Sequence, residues 1–275
     1  MASEEPGVDG SVVALWRYPV KSMMGEELNA TEITDRGTLG DRAYALVDPT
    51  NGKVVSAKNP RKWGNLFSFR AGFSEPPRLG EPVPPVNITL PDGSTHSSEE
   101  DQIDKTLTGV LGREVVLEAA APAEPSLEEY WPDMEGLDHR ETVTDEAMPT
   151  GTFFDLAVLH ILTTATLERL RELYPEGRFE TRRFRPNIVV EPASDEKAFI
   201  ENAWIGRSVN IGDEVRLAIT EPCPRCVMTT LPQGDLPRDR GILRTAAKHN
   251  AVHVGVYAKV LQGGTIHRGD QVTVG

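Results

Sequence analysis

The chain has 275 residues, a length that suits one large domain or two modest ones. Its 39% hydrophobic and 26% charged residues are ordinary for a globular protein, and its net charge of −13 argues against a general nucleic-acid binder, because phosphate backbones require a basic face. No stretch is apolar over the length of a membrane span and the N-terminal residues lack a basic, apolar leader, so we expect a cytoplasmic protein without nucleic-acid or membrane partners.

The first half of the chain is predicted to form a β-rich module at residues 10–118. Alternating apolar residues predict strands over residues 11–16 and 42–47, with a turn and a further strand after the second. Residues 87–90 resemble one arm of a hairpin, and residues 99–111 favour a short helix. The module is therefore expected to be mainly β.

Residues 119–150 differ in composition from the rest of the chain. They are rich in Pro, Glu and Asp and have little periodicity. We predict a long acidic surface segment that connects two domains.

The second half, residues 151–275, is predicted to be a further domain of strands with one clear helix. The helix is expected at 165–174, and strands are expected near 184–190, 214–220, 251–257 and 271–274. Thr163 and Thr164 precede the helix. Their hydroxyls either cap its N-terminus or, with its free N–H groups, meet an anion.

The two cysteines of the chain lie in one tetrad, Cys223-Pro224-Arg225-Cys226, directly after an alternating run. Prolines interrupt the strand there, so the thiols are expected on a loop at its end. The guanidinium of Arg225 is expected to favour the thiolate, which is the nucleophilic and metal-binding form.

Several roles for the tetrad stay open at this point. The pair could exchange a disulfide, be buried as small apolar residues, or join His249 and His253 in a structural zinc site. We favour a thiolate ligand to a soft or thiophilic metal, with a cofactor supplying the other ligands.

Other polar residues occur where a strand pattern makes them unusual. Tyr257 lies opposite the apolar face of its strand, Arg185 and Asn187 flank a proline, and Lys21 and Ser22 follow the first strand. Each taken alone is ordinarily structural or solvated. Together they indicate one site for an anionic ligand.

These pieces resemble the MOSC family, named for the C-terminal domain of molybdenum cofactor sulfurase, and especially its amidoxime-reducing branch. The resemblance covers both halves of the chain. It rests on the following motifs: Tyr18-Pro19-Val20-Lys21-Ser22, Gly40-Asp41-Arg42, Phe184-Arg185-Pro186-Asn187, Cys223-Pro224-Arg225-Cys226 with Thr229-Thr230, Val254-Gly255-Val256-Tyr257 and Gly264-Thr265-Ile266.

The resemblance implies a mainly β fold with some α, in which a MOSC β-barrel packs against a β-rich N-terminal MOSC module. It also implies a molybdenum cofactor between them, with Cys226 as the protein ligand to molybdenum and Cys223 as a neighbour. Tyr257 matches a residue near the metal. The expected cofactor-binding residues are Lys21, Ser22, Arg42, Arg185, Asn187 and Arg225, together with Thr163 and Thr164.

The implied activity is an oxidoreductase that removes oxygen from N-hydroxylated compounds such as amidoximes, hydroxamic acids or N-hydroxylated bases. Some bacterial relatives carry a ferredoxin-like domain, and this chain has no such cysteine cluster for an iron–sulfur centre. A separate donor protein of the flavin, haem or iron–sulfur type is therefore expected. Two other functions stay open, namely a cofactor carrier without turnover and a persulfide carrier at Cys226.

Overall fold

The computed structural model describes residues 9–135, 137 and 139–275. The strands of the first half are β1 (Gly10–Arg17), β2 (Glu26–Leu28), β3 (Ala30–Thr34), β4 (Gly37–Thr38), β5 (Ala45–Asp48), β6 (Lys53–Val54), β7 (Arg70–Phe73), β8 (Val86–Thr89), β9 (Thr95–Ser97), β10 (Val116–Glu118), β11 (Ser126–Trp131) and β12 (Thr142–Ala147). Its helices are α1 (Pro60–Trp63) and α2 (Ile103–Leu111), with a 3-10 turn at Leu66–Ser68.

The first strand of the second half is fully buried, and the last two strands are short. These strands are β13 (Leu159–Thr163), β14 (Ile188–Pro192), β15 (Ser208–Ile211), β16 (Val215–Pro224), β17 (His253–Gln262), β18 (Gly264–His267) and β19 (Gln271–Val274). The helices are α3 (Thr164–Leu173), α4 (Thr181–Phe184) and α5 (Arg240–Asn250), with 3-10 turns at Ile200–Trp204 and Val227–Thr230.

A closed barrel organises the second half, which confirms the predicted fold class. Its strands follow the order β14-β13-β17-β16-β15-β19-β1, and β1 pairs back onto β14. Closure removes the free edges that an open sheet would expose. Apolar side chains on alternate positions fill the interior, among them Leu15, Ile161, Ile188, Leu217 and Val256.

The strand that closes the barrel comes from the predicted N-terminal module. β1 is antiparallel to β14, with Gly10 opposite Pro192 and Leu15 opposite Ile188, and it also pairs with β19 through Gly10 and Ser11. A second link joins β3 to β18. The two halves of the sequence are therefore interleaved in space.

The rest of the first half forms small sheets around its own apolar core. β5 pairs with β6 and β10, and β7, β8 and β9 form an antiparallel meander. Phe67, Phe69, Ile88 and Leu107 are buried in this core, with α2 packed over one side. The module rests on the barrel end that carries the cysteine tetrad, since Leu231 belongs to the same core.

Residues 119–150 contain a hairpin where the sequence predicts an irregular connection. β11 and β12 are antiparallel, with Leu127 opposite Glu146 and Trp131 opposite Thr142. Leu127 and Tyr130 are buried, and Leu127 joins a small core with Val54 and Phe153. The acidic composition of the segment did not reveal this hairpin, in which Glu128 and Glu129 are paired with Lys62 and Lys58 of the N-terminal module.

The helices of the second half cover one side of the barrel. α3 and α5 pack through Leu167, Leu170, Ile242 and Ala246, with Phe184 at the end of α4 in the same cluster. In the described part of the chain, none of the helices has the length and apolarity to cross a membrane.

Candidate functional site

A cavity of about 530 Å³ opens between the barrel, the N-terminal module and the β11–β12 hairpin. Residues that are far apart in sequence meet in its wall. Eight of the ten residues expected at the site line it: Lys21, Ser22, Arg42, Arg185, Asn187, Arg225, Cys226 and Tyr257.

Backbone strain is concentrated in this wall. Among the described residues, six that are not glycine have a positive φ, and five of these line the cavity: Ser22, Arg42, Arg185, Ala251 and Val252. A left-handed backbone costs about 1–2 kcal/mol for such residues. Its clustering at one cavity is typical of a functional site, where geometry is fixed at the expense of stability.

Two cysteines with different surroundings lie at and just after the end of strand β16. Cys226 precedes the Val227–Thr230 turn and lines the cavity, whereas Cys223 is fully buried behind the wall. Both are free thiols, so no disulfide joins them. The tetrad therefore presents one thiol to the cavity and hides the other.

Arg225 favours the thiolate of Cys226 as expected, because its charge lowers the pKa of that thiol, but burial and Glu129 outweigh it. Its guanidinium donates to Cys223 Sγ at 2.7 Å and to the Phe184 carbonyl at 2.8 Å. Burial, followed by the charge of Glu129, raises the pKa of Cys226 to about 12. Without a metal the Cys226 thiol is protonated, and coordination itself would remove its proton.

The zinc alternative is not supported by the arrangement of its four candidate ligands. In the described residues, no three His, Cys, Asp or Glu side chains are placed to hold a metal ion. His249 lies at the exposed end of α5 on a separate groove. Among residues 9–135, 137 and 139–275, a protein-only metal site at the tetrad therefore lacks its ligands.

A chain of alternating charges runs along the N-terminal side of the cavity. Lys21 is paired with Asp155 and donates to the Phe153 carbonyl at 2.8 Å. Lys58 lies 3.5 Å from Asp155 and 2.9 Å from Glu129. Burial alone would raise the pKa of Asp155, but the two lysines outweigh it and hold that pKa well below its usual value.

Two arginines approach the cavity from the opposite side. Arg185 donates to the Met23 carbonyl at 2.6 Å, and its guanidinium stacks 4.0 Å from the ring centre of Tyr18. Arg42 is paired with Asp41, and its guanidinium lies 4.7 Å from the centre of the same ring. Burial and the charge of Arg42 lower the pKa of Arg185 to about 10, so the group stays charged at neutral pH.

Asn187 is held by protein contacts although it lines the cavity. Its amide nitrogen donates to Asp41 at 2.8 Å, and its oxygen accepts from the backbone N–H of His160 at 3.1 Å. Its side chain thereby fixes Asp41, which in turn orients Arg42. Asn187 therefore supports the wall of the cavity by positioning its neighbours.

Thr163 and Thr164 are not brought to the cavity. Thr163 is fully buried and caps α3 by accepting from the backbone N–H of Thr166, while donating to Glu201 at 2.6 Å. Thr164 begins the same helix. The capping interpretation explains Thr163, because the helix N-terminus and the buried Glu201 use the hydroxyl that an anionic ligand would need.

Tyr257 and His160 both line the cavity, and their rings meet edge to face with centroids 6.1 Å apart. Burial and the neighbouring Cys223 raise the pKa of Tyr257 well above its usual value. Its hydroxyl therefore stays protonated at neutral pH.

Sequence reasoning missed several lining residues. His160, Lys58 and Asp155 have no local motif, and only the fold brings them together. Glu129 and Trp131 did carry a signal, since Leu127, Glu129 and Trp131 alternate as one face of a strand does.

Comparisons with known proteins identify relatives of both halves of the chain. The family model for the MOSC domain matches residues 150–273, and that for the MOSC N-terminal beta barrel domain matches residues 9–65. Mitochondrial amidoxime reducing component 2 of Homo sapiens is 27% identical over 246 residues, which cover 81% of this chain and 67% of that protein. Mitochondrial amidoxime-reducing component 1 of Mus musculus is 25% identical over 242 residues, covering 81% of this chain and 66% of that protein.

Among solved structures, the YUAD protein of Bacillus subtilis superimposes with a TM-score of 0.46 at 11% identity, over 96% of this chain and 94% of that one. The two domain matches and the relatives together account for both halves of the sequence. The chain therefore belongs to the MOSC family, with a MOSC N-terminal beta barrel domain followed by a MOSC domain.

Proposed function

We propose that this protein is a molybdenum cofactor-dependent oxidoreductase that reduces N-hydroxylated compounds with electrons from a separate donor protein. The observation that carries the proposal is a single thiol, Cys226, in a cavity with more cations than carboxylates. A thiol beside surplus buried cations suits an anionic, thiolate-bound metal cofactor. The relatives are named for the reduction of amidoximes, which are N-hydroxylated compounds.

The residues present fit such a group. The described cavity wall carries five cationic side chains and three carboxylates, namely Lys21, Arg42, Lys58, Arg185 and Arg225 against Glu129, Glu146 and Asp155. The Nε atom of Arg225 is buried and has no hydrogen-bond partner within the described part of the structure. An orphaned buried donor of this kind fits an absent acceptor.

In this proposal the cationic side chains Lys21, Arg42, Arg185 and Arg225 hold the phosphate and pterin, with Ser22 and Asn187 supporting them. Cys226 gives the thiolate to molybdenum, and Cys223 holds Arg225 in place. When bound, the cofactor supplies the two-electron oxygen-atom chemistry that side chains lack. The protonated hydroxyl of Tyr257 would position the substrate oxygen by donating a hydrogen bond.

The proposed reaction balances with an external reductant. The N–O bond of the substrate breaks, an N–H bond forms, and the oxygen leaves as water. Two electrons come from the donor protein and two protons from solvent. Apolar side chains beside the cavity, among them Met148 and Phe154, would limit competing access of water. The expected cytoplasmic location stays a prediction.

The first experiment measures molybdenum per chain by elemental mass spectrometry, with a fluorescence assay of the oxidised pterin. We expect near-stoichiometric molybdenum in the protein from a cofactor-competent host. Cys226→Ala should lose most of the metal and all turnover of N-hydroxylated substrates, since it removes the ligand atom. Cys223→Ala removes the neighbouring thiol, which contacts Arg225 but is not a metal ligand in this proposal, and should retain most of the metal.

The other outcomes of this experiment separate the proposed function from its alternatives. Full activity in Cys226→Ala would overturn the proposal. Bound molybdenum without reduction of any N-hydroxylated compound would favour a cofactor carrier, and an added sulfur on Cys226 without molybdenum would favour a persulfide carrier.

A further inference from the structure

The β11–β12 hairpin presents chemically different faces to its two sides. Leu127, Glu129 and Trp131 on β11, and Glu146 on β12, line the cavity. The intervening residues point away from it: Glu128 pairs with Lys62 at 2.7 Å and Asp145 pairs with Lys53 at 2.6 Å. The hairpin is thus fastened to the N-terminal module by one face and offers the other to a ligand.

Glu146 is held in position by a short relay on the cavity face. The indole Nε1 of Trp131 donates to Thr144 Oγ1 at 2.7 Å, and that hydroxyl donates to Glu146 Oε1 at 2.6 Å. Because the Thr144 hydroxyl accepts from Trp131, its own proton is directed at Glu146 Oε1. The second carboxylate oxygen of Glu146, Oε2, is then left to accept a hydrogen bond from another donor.

Within the described part of the chain, Glu146 differs from the other cavity carboxylates in having no cationic partner. Asp155 is paired with Lys21, and Glu129 is paired with Lys58. No ion pair to Glu146 is found among the described residues, although Lys53 and Lys62 serve the opposite face of the same hairpin. The uncompensated carboxylate lies in a wall with an aromatic ring and apolar side chains.

This arrangement is suited to a flat cation. A carboxylate accepts two parallel N–H donors from a planar amidinium or guanidinium group, and an indole face attracts a cation by its quadrupole. Leu127, Met148 and Phe154 add apolar contact surface nearby. The cationic side of the cavity, by contrast, would repel the same group.

We propose that Glu146, positioned by Thr144 and Trp131, selects N-hydroxylated substrates whose reacting group is cationic, such as N-hydroxyguanidines, over neutral ones of the same shape. This inference rests on the proposed function, because it assigns the substrate side of the same cavity. Glu146 acts as a specificity residue that contacts the substrate, and the reaction remains the reduction of an N–O bond to N–H and water.

The test uses a matched pair of substrates, an aryl N-hydroxyguanidine and the corresponding N-hydroxyurea, which differ chiefly by charge. Reduction by the holoenzyme is driven by a chemical electron donor, and products are quantified by chromatography. We expect a higher kcat/KM for the guanidine, and Glu146→Gln should lower that preference about tenfold, since it removes a charge-assisted hydrogen bond. Asp145→Asn removes the same charge from the opposite face of β12 and should preserve the preference.

Calorimetric titration of the full chain with arylguanidinium and arylurea products gives a second measurement that requires no turnover. We expect tighter binding of the guanidinium in the natural protein and equal binding of both in Glu146→Gln. An unchanged guanidine preference in the Glu146→Gln enzyme would overturn the inference and leave the proposed function intact. If no N-hydroxylated compound is reduced, the proposed function fails, and the calorimetric preference alone then decides for or against charge selection by Glu146.

Discussion

His160 is an enclosed imidazole in the wall of the cavity. Its Nε2 donates to the Val254 carbonyl at 3.0 Å, and a side chain on Gly255 would collide with the ring. Burial, aided by the charge of Arg225, lowers the pKa of His160 to about 3. The folded protein therefore keeps this ring neutral over the range in which an unfolded chain would protonate it.

The free energy of unfolding should accordingly fall in acid, and part of that fall should be due to His160. The unfolded chain binds a proton at His160 below its ordinary pKa of about 6.5, and the folded chain does not bind it until about pH 3. The contribution is constant above pH 6.5 and is lost as pH falls. At pH 5 the loss amounts to about 2 kcal/mol.

Urea unfolding of the natural protein and His160→Gln between pH 8 and pH 5 measures this effect. The difference in unfolding free energy between the two proteins should be constant above pH 6.5 and shift by about 2 kcal/mol in favour of the variant by pH 5. His249→Gln, on the exposed end of α5, controls for the loss of an imidazole. A pH-independent difference for His160→Gln would contradict the assignment.

At the scale of single elements, two helices end in the same left-handed conformation with different residues. Gly112 ends α2 with a φ of 68°, and Ala251 ends α5 with a φ of 47°. Glycine adopts this conformation freely, whereas alanine is strained by its Cβ. The strained end is the one that lines the cavity.

Exchanging the residues at these two ends should move stability in opposite directions. Ala251→Gly should raise the free energy of unfolding by about 1 kcal/mol, reduced by the extra freedom of glycine in the unfolded chain. Gly112→Ala should lower it by about 1 kcal/mol, and no atom lies within 4 Å of the added Cβ, so the cost is conformational alone. Thermal and urea unfolding of both variants checks the signs. Destabilisation by Ala251→Gly would show that the strain at α5 is compensated locally.

Regular elements could be predicted from the sequence where one pattern dominated. The strand at 11–16 and the helix at 165–174 appear as β1 and α3 within one residue at each end. The hairpin of residues 126–147 was missed because its alternation is carried by glutamates, which a hydrophobic pattern does not register. Their burial depends on lysines from another part of the chain, which sequence spacing does not reveal.

The candidate site was predictable to the extent that its residues occur in short motifs. Lys21, Arg185 and Cys226 each lie in a distinctive run beside a strand and line the cavity. Glu146 and Asp155 have no such run, because their role depends on which cations pair with them in the folded protein. The charge balance of a cavity depends on tertiary contacts, which short sequence motifs do not encode.

At the scale of the whole molecule, the barrel is closed by a strand from the other half of the sequence. Val12 and Leu15 of β1 are buried in the barrel core, and β1 hydrogen-bonds to both β14 and β19. Burying two such side chains stabilises a protein by roughly 3–6 kcal/mol, which is comparable to the total stability of a typical domain. The barrel therefore depends on residues outside the matched MOSC domain.

A fragment of residues 150–275 should consequently fail to fold alone, although it spans the matched MOSC domain. Without β1 the sheet edges of β14 and β19 are open, and such edges favour aggregation. Co-expression with residues 9–149 should restore a soluble complex with the circular dichroism spectrum of the intact chain, because β1 and β3 can pair from a separate polypeptide. Gel filtration and tryptophan fluorescence of the fragment, the co-expressed pair and the intact chain provide the comparison. A fragment of residues 150–275 that is monomeric and unfolds cooperatively would show instead that β19 and β14 close the barrel without β1. The N-terminal strand would then be needed only to complete the cavity.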